Sequence, residues 1–99
     1  MTANPLGLIC AIPDEIAHFG SSFAETASRT LAGLTFREGT LEGRPTVMVE
    51  SGIGKVNAAV VSTLLAEIFG CHALLFSGVA GGLDPKLGIG DVVVATRLV

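Results

Sequence analysis

In three places along the sequence, a carboxylate or a group of glycines follows shortly after an apolar run. Glu15 follows the first run, residues 51–54 (Ser-Gly-Ile-Gly) follow a second, and residues 78–82 (Gly-Val-Ala-Gly-Gly) follow a third. A carboxylate at such a point either orients or deprotonates a water molecule, or is a solvated acid favoured by a helix N-terminus. Glycines there either form structural turns or let a ligand approach the backbone amides. The residue types alone leave both alternatives open.

The apolar runs predict the strands that would position these residues. Residues 6–12 and 73–79 are short, continuous apolar runs, typical of strands buried on both faces. Residues 35–41 and 46–50 flank Glu-Gly-Arg-Pro, which predicts two strands joined by a tight turn. A further strand is predicted at residues 91–95. In an open α/β sheet, ligands bind at the carboxyl ends of strands, where the three segments are expected.

Two helices are predicted between these strands. Pro13 suits a first helical position, and Ile16, Phe19 and Phe23 then recur with the spacing of a core-facing stripe. Residues 55–69 predict the second helix, in which apolar residues lie four apart and Gly70 supplies the stop. The predicted order is β-α-β-β-α-β-loop-β, which indicates an α/β sheet with both faces covered.

Composition excludes several classes of protein. The 99 residues are 49% hydrophobic and 15% charged, the opposite of a disordered chain. A net charge of −3 without a basic stripe gives no support for binding nucleic acid. No charge-free stretch is long enough for a membrane span, and no cationic segment marks a signal peptide. Cys10 and Cys71 are predicted to be buried free thiols, and no Cys/His cluster suggests a metal site. We therefore expect a cytoplasmic protein.

The common nucleotide-binding motifs do not fit. A P-loop needs Gly five residues before the Gly-Lys pair and Ser or Thr after the lysine, where this chain has Val49 and Val56. The dinucleotide fingerprint needs Gly at its sixth position, where Asn57 stands. Neither a P-loop NTPase nor a Rossmann dehydrogenase is supported.

The joint order of four segments resembles the 5′-methylthioadenosine/S-adenosylhomocysteine nucleosidases of the purine nucleoside phosphorylase-like superfamily. The matching segments are residues 7–16, 50–59, 77–83 and 87–94. The resemblance implies a three-layer α/β/α sandwich and a homodimer or larger homo-oligomer acting in methionine salvage. It also implies hydrolysis of the N-glycosidic bond, with release of adenine through an oxocarbenium-like transition state captured by water.

The resemblance implies roles for individual residues. Glu15 matches the family's acid that holds the attacking water, and is the predicted catalytic residue. Gly81 matches a glycine lining the nucleoside site, with Val79 and Ala80 as further predicted substrate-binding residues, and Ile53 borders the ribose and thioalkyl end. Some relatives carry Ser at the position of Val79, so this chain lacks that hydroxyl near the ribose. The resemblance implies no metal and no cofactor.

Residues 1–99 are expected to be the N-terminal part of a single nucleosidase-like α/β domain. The mean hydropathy of +0.67 is high for a domain this small, and relatives carry their adenine-binding loop, ribose-binding Met-Glu pair and purine-protonating Asp further along the chain. We therefore expect residues 1–99 alone to be inactive and to self-associate.

Two alternative functions remain open at the level of sequence. Phosphorolysis, as in a nucleoside phosphorylase, requires arginines around the phosphate, but the first turn here is Pro-Asp-Glu and residues 77–83 contain no arginine. A non-catalytic nucleoside-binding or assembly module is the other alternative. Within the hydrolases, a futalosine-type nucleosidase is also compatible with the sequence.

Overall fold

A mixed five-stranded sheet forms the centre of the described part of the chain. The computed structural model describes residues 4–13, 22–78 and 81–97. In chain order it contains β1 (Leu6–Cys10), β2 (Phe23–Leu31), β3 (Leu34–Leu41), β4 (Arg44–Glu50), the helix α1 (Lys55–Glu67) and β5 (Ala73–Phe76). The strand order across the sheet is β2-β3-β4-β1-β5. The α/β class predicted from the sequence is therefore confirmed.

The parallel half of the sheet is a β-α-β unit. β1 lies between β4 and β5 and runs parallel to both, with Cys10 opposite Glu50 and Ile9 opposite Phe76. α1 connects β4 to β5, as expected for a parallel crossover. The carboxyl ends of β1, β4 and β5 consequently meet at one edge of the sheet.

The other half is an antiparallel meander of β2, β3 and β4. Its two hairpins turn at Ala32-Gly33 and Glu42-Gly43, and all four residues have positive φ between 50° and 81°. Two consecutive residues with positive φ form the tight turn whose twist suits a hairpin. The predicted turn before β4 is confirmed, but it is only two residues long, and Pro45 lies within the strand.

Side chains of alternating strand residues pack on both faces of the sheet. On the face covered by α1, Ile9, Phe36, Val47 and Val49 pack with the helix residues Val61 and Leu65. On the opposite face, Leu8, Cys10 and Met48 form a smaller buried cluster. This period-two alternation is the pattern expected of a sheet with apolar contacts on both faces.

The helix α1 ends at Glu67, two residues before the end of the predicted range 55–69. The residues that it buries are also not those of the apolar series spaced by four from which it was predicted. Val61 and Leu65 are buried. Val56, Val60 and Ile68 belong to the series spaced by four, and each is exposed by at least 42%. The ring of Phe69, just after the helix, stacks on Phe36 with 4.9 Å between ring centroids.

The prediction for the region after β1 was wrong at Phe23. We predicted that Phe23 would belong to a helical stripe with Ile16 and Phe19, but it begins β2 and pairs with Leu41. Ile16 and Phe19 lie outside the described residues. β2 was missed because most of its side chains are polar or small, so it lacks the apolar alternation of a half-buried strand.

The prediction of a strand at residues 91–95 was also wrong for this chain, which forms no strand there. Val92, Val93 and Val94 are exposed by 67% or more. β5 ends at Phe76 rather than at residue 79, and all four of its residues are exposed although both faces were expected to be buried. A strand requires a hydrogen-bonded neighbour, and β5 is the last strand of the described sheet.

Candidate active site

The ends of the three parallel strands bring two of the three sequence segments to one edge of the sheet. The Ser51 N–H donates a hydrogen bond to the Cys10 carbonyl at 2.8 Å, and the Ser77 N–H donates to the Ile9 carbonyl at 3.0 Å. The three strands β1, β4 and β5 therefore end side by side, at the same edge of the sheet. Such an edge of an α/β sheet is the usual place for a ligand.

The turn after β4 has a defined conformation. Ser51 is buried, and its hydroxyl donates to the Gly52 carbonyl at 2.8 Å. Gly52 and Gly54 have φ values of 76° and 106°, in the region that favours glycine. A Cβ at Gly52 would lie 3.1 Å from the side-chain nitrogen of Asn57. These two glycines are therefore required by the backbone path itself.

The turn leads directly into α1, whose N-terminus lies at the same edge. The N-cap is Gly54, no side chain caps the first turn, and that turn contains no acidic residue. The Asn57 amide donates to the Ile53 carbonyl at 2.9 Å, which fixes the entry into the helix. An uncapped helix N-terminus favours oxygen-rich or anionic groups of a ligand.

A cleft of about 290 Å³ adjoins the ends of β1 and β4. Its lining comes from the segment after β1, the end of β4, the β2–β3 turn and the first half of β3, with the residues Pro13, Gly33, Leu34, Thr35, Arg37 and Glu50. The Nε atom of Arg37 lies 3.8 Å from the Oε1 atom of the Glu25 carboxylate. The cleft thus contains a carboxylate and a guanidinium that is already paired.

The structure describes only part of the predicted site. Ile53 lies in the turn after β4 with 79% of its surface exposed. Gly81 is exposed, and a Cβ built on it would have no atom within 4 Å. Glu15, Val79 and Ala80 lie outside the described residues. Ile53 is therefore the predicted site residue that the described strands bring to the sheet edge.

Two charged residues of the cleft escaped the sequence analysis. Glu50 is the last residue of β4, directly before the glycine turn, and this position in the sequence is the signal that identifies it as a candidate. Arg37 is far from the turns in sequence and reaches the cleft only through the pairing of β3 with β4. Long-range strand pairing of this kind has no local sequence signature.

The remaining sequence features have simple structural descriptions. Cys10 and Cys71 are both free thiols, as predicted. Cys10 is buried, which confirms the prediction, whereas Cys71 is only half-buried. Burial raises the pKa of the Cys71 thiol. Within residues 4–13, 22–78 and 81–97, no group of three or more His, Cys, Asp or Glu could hold a metal ion. No helix in that part of the chain is long and apolar enough to cross a membrane.

Comparison with protein families gives one match over nearly the whole chain. The family model of the phosphorylase superfamily matches residues 5–99. A 5′-methylthioadenosine/S-adenosylhomocysteine nucleosidase from Mycobacterium bovis is 45% identical over 97 residues. The match covers 98% of this chain and 38% of the mycobacterial protein, so the chain spans about two fifths of that relative's length.

Solved structures show the same fold. The nucleosidase of Colwellia psychrerythraea, determined in complex with adenine, superimposes with a TM-score of 0.84 at 37% identity, covering 91% of this chain and 37% of the other. The futalosine hydrolase of Helicobacter pylori gives a TM-score of 0.81 at 31% identity, covering 89% and 38%. The resemblance inferred from the four sequence segments is thereby confirmed.

Proposed function

The chain belongs to the phosphorylase superfamily, and on that premise we propose that it contributes to a nucleosidase that hydrolyses 5′-methylthioadenosine and S-adenosylhomocysteine. The observation that carries the proposal is the convergence of the ends of β1 and β4 at one sheet edge, in a chain 45% identical to such a nucleosidase over 97 residues. The complete protein would release adenine. Residues 1–99 alone would be inactive, as the N-terminal part of a single nucleosidase-like domain.

Glu15 is the proposed catalytic residue. It follows the last residue of β1 by five positions in the sequence, and the turn after β4 begins beside that strand end. In the proposed reaction the bond between adenine and ribose breaks and its electron pair leaves with adenine, which takes a proton from the purine-protonating Asp that relatives carry further along the chain. A water oxygen then bonds to the anomeric carbon of the ribosyl cation. The Glu15 carboxylate accepts a hydrogen bond from this water and takes its proton.

The proposed substrate contacts follow the family resemblance. Ile53 would contact the ribose and thioalkyl end, and its exposed apolar side chain at the sheet edge supports this role. Val79, Ala80 and Gly81 would line the nucleoside site. The N–H groups at the start of α1 offer donors for ribose oxygens, since no side chain caps them.

Phosphorolysis deserves a direct test because Arg37 lines the cleft next to Pro13. Phosphate binding requires a cation free to pair with it. Arg37 instead faces Glu25 at 3.8 Å and shares the cleft with Glu50. A guanidinium already paired with one carboxylate, in a cleft lined by a second carboxylate, disfavours the binding of a further anion, so we favour water as the nucleophile.

The experiment is an assay of adenine release by a completed protein. In the chimera, residues 1–99 are followed by the part of the mycobacterial relative that lies C-terminal to the matched region. We expect adenine and free methylthioribose from methylthioadenosine in phosphate-free buffer. Strict dependence on phosphate, with a ribose 1-phosphate as product, would instead assign phosphorolysis. Adenine release by residues 1–99 without the added part would contradict the proposed inactivity of the chain alone.

A comparison of substrates would define the specificity of the site. The same chimera should be assayed with methylthioadenosine, S-adenosylhomocysteine and futalosine, since the fold matches enzymes named for each reaction. We propose that the first two are preferred, because the relatives of 45% identity carry that name. A clear preference for futalosine would reassign the substrate while retaining hydrolysis.

We also propose that the complete protein acts in the cytoplasm, in methionine salvage, as a homodimer or larger homo-oligomer. The relatives' enzyme class supports the pathway. The exposed apolar residues Val56 on α1 and Ile68 directly after it support contacts with a second subunit. Analytical ultracentrifugation of the chimera would measure the oligomeric state, and a monomer would contradict this part of the proposal.

A further inference from the structure

Three successive carbonyl groups in the turn after β4 each accept a hydrogen bond. The Ser51 hydroxyl donates to the Gly52 carbonyl at 2.8 Å, and the Asn57 side-chain amide donates to the Ile53 carbonyl at 2.9 Å. The Gly54 carbonyl accepts a backbone hydrogen bond of α1 at 3.1 Å, as expected of an N-cap residue. Two of the three carbonyls are therefore held by side chains, so a side-chain substitution can release the turn without breaking the helix.

Asn57 connects this turn to α1. A Cβ built on Gly52 would lie 3.1 Å from the Nδ2 atom of Asn57 and 3.9 Å from its Cγ atom, so the amide group lies directly over the glycine. The same Nδ2 atom holds the Ile53 carbonyl. One side chain that belongs to the first turn of the helix thus contacts two successive residues of the glycine turn.

Ile53 depends on such a support for its direction. It stands between Gly52 and Gly54, which have φ values of 76° and 106°, and glycine has more backbone freedom to lose on folding than any other residue. The Ile53 side chain is 79% exposed, so packing contributes little to fixing its direction. The backbone of the turn, which Asn57 holds, therefore determines where this apolar side chain points.

We propose that Asn57 is a positioning residue that sets the preference of the site for nucleosides with a thioalkyl group at the 5′ position. This role rests on the proposed function, in which Ile53 contacts the ribose and thioalkyl end of the substrate. Asn57 acts through Ile53, because its amide fixes the turn and the turn presents the isoleucine side chain to the alkyl group. Without the amide, Ile53 samples several directions, and the apolar contact with the thioalkyl group is weakened.

Two variants of the same shape isolate the hydrogen bond. In α1, the Thr63 hydroxyl donates to the Ala59 carbonyl at 2.9 Å, and this pair has the same spacing in sequence as Asn57 and Ile53. Asn57→Thr therefore keeps a donor for the Ile53 carbonyl, whereas Asn57→Val has the same size and branching as threonine but no donor. Thr63→Val removes a side-chain hydrogen bond of the same kind from the middle of the helix, and it is the control.

The three variants are made in the chimera and assayed with methylthioadenosine and with 5′-deoxyadenosine, which has hydrogen in place of the methylthio group. We expect Asn57→Val to lower the ratio of kcat/KM for the two substrates at least about fivefold, since a small apolar group is worth about 10- to 200-fold in specificity. The loss should appear as a higher KM for methylthioadenosine with little change in kcat. Asn57→Thr and Thr63→Val should retain the ratio. An unchanged ratio in Asn57→Val, or an equal loss in either of the other two variants, would overturn the proposal.

Asn57→Asp separates positioning from stability. It keeps the shape of the side chain but replaces the amide donor with a carboxylate oxygen. The first turn of α1 has no acidic residue, and an acid there interacts favourably with the helix dipole. We expect the denaturant midpoint of unfolding to stay the same or rise, while the ratio of kcat/KM for the two substrates falls as in Asn57→Val. A retained ratio, or a ratio that falls only together with the midpoint, would contradict a positioning role.

Hydrogen exchange of the chimera separates this inference from the proposed function, because it does not depend on catalysis. We expect the amides of residues 52–54 to exchange faster in Asn57→Val than in Asn57→Thr. Faster exchange in a chimera that releases no adenine would refute the nucleosidase assignment, and with it the substrate preference, while supporting the hold of Asn57 on the turn. Adenine release with an unchanged substrate ratio and unchanged exchange would refute the role of Asn57 and leave the nucleosidase assignment intact.

Discussion

β1 and β5 are neighbouring parallel strands of similar apolar composition, yet their surroundings are opposite. In β1, every residue from Gly7 to Cys10 is buried, whereas all four residues of β5 are exposed. β1 has a strand on each side, whereas β5 has one strand neighbour among the residues that the structure describes. Burial here depends on position in the sheet, because β1 lies at its centre, where Ile9 packs with residues of α1 on one face and Leu8 and Cys10 pack with Met48 on the other. The apolar composition of a strand predicts that its side chains need to be buried, but it does not predict whether another element packs over them.

The largest expected effect on stability comes from removing an aromatic ring from the buried core beside β1. Phe36→Ala removes a fully buried side chain that stacks on Phe69. We expect the free energy of unfolding of the 99-residue chain to fall by about 3–5 kcal/mol, because a cavity replaces the ring. Denaturant titration monitored by circular dichroism measures this loss.

Phe76→Ala is the matched control on the exposed strand, since Phe76 is 56% exposed. Its cost should be less than about 1 kcal/mol in the same titration, because most of the ring already contacts water. Equal losses for the two variants would mean that β5 is packed as tightly as β3, which would contradict the comparison.

A smaller effect distinguishes the two glycine turns. Gly52→Ala places a side chain at a φ of 76° and 3.1 Å from the Asn57 amide. We expect a loss of about 1–2 kcal/mol in unfolding free energy. Gly81→Ala should change stability by less than about 0.5 kcal/mol, since a Cβ there has no neighbour within 4 Å. If Gly81→Ala were the more destabilising change, the turn after β5 would be the more constrained of the two.

The smallest effect concerns the thiol of Cys71. Burial raises its pKa, so less thiolate is present near pH 8, and the thiolate is the reactive form. We expect iodoacetamide to modify Cys71 more slowly in the folded chain than in denaturant. The unfolding free energy should also fall as pH rises past the ordinary thiol pKa, because the unfolded chain releases the proton first. Equal alkylation rates in both states would contradict the burial of Cys71.

Local sequence patterns predicted the parts of the fold that local forces determine. The helix α1, the β3–β4 hairpin and the glycine turn after β4 follow from propensity, turn chemistry and apolar runs. β2 was missed because its stability comes from pairing with β3 rather than from an apolar face. The strand at residues 91–95 was predicted from its valines, but strand formation needs a neighbour that residue types cannot supply.

The candidate site was predictable to a similar degree. The position of Ile53 follows from the strand-turn-helix pattern around it, which the sequence displays. The cleft with Arg37 and Glu50 depends on the register between β3 and β4, in which Arg37 faces Met48. Since registers join residues distant in sequence, the charge distribution beside the sheet edge emerges only from the three-dimensional structure.

The proposed hydrolysis depends most directly on Glu15, and the chimera of residues 1–99 with the C-terminal part of the mycobacterial relative allows this role to be tested. Glu15→Gln keeps the size of the side chain and one acceptor oxygen but removes the charge. We expect kcat for adenine release to fall at least about 10²-fold, with a much smaller change in KM, since the carboxylate is proposed to contact water rather than adenine. Asp14→Asn, one residue earlier, should leave kcat nearly unchanged. A near-normal kcat for Glu15→Gln, or a severe loss for Asp14→Asn, would contradict the assignment of Glu15 as the residue that holds the attacking water.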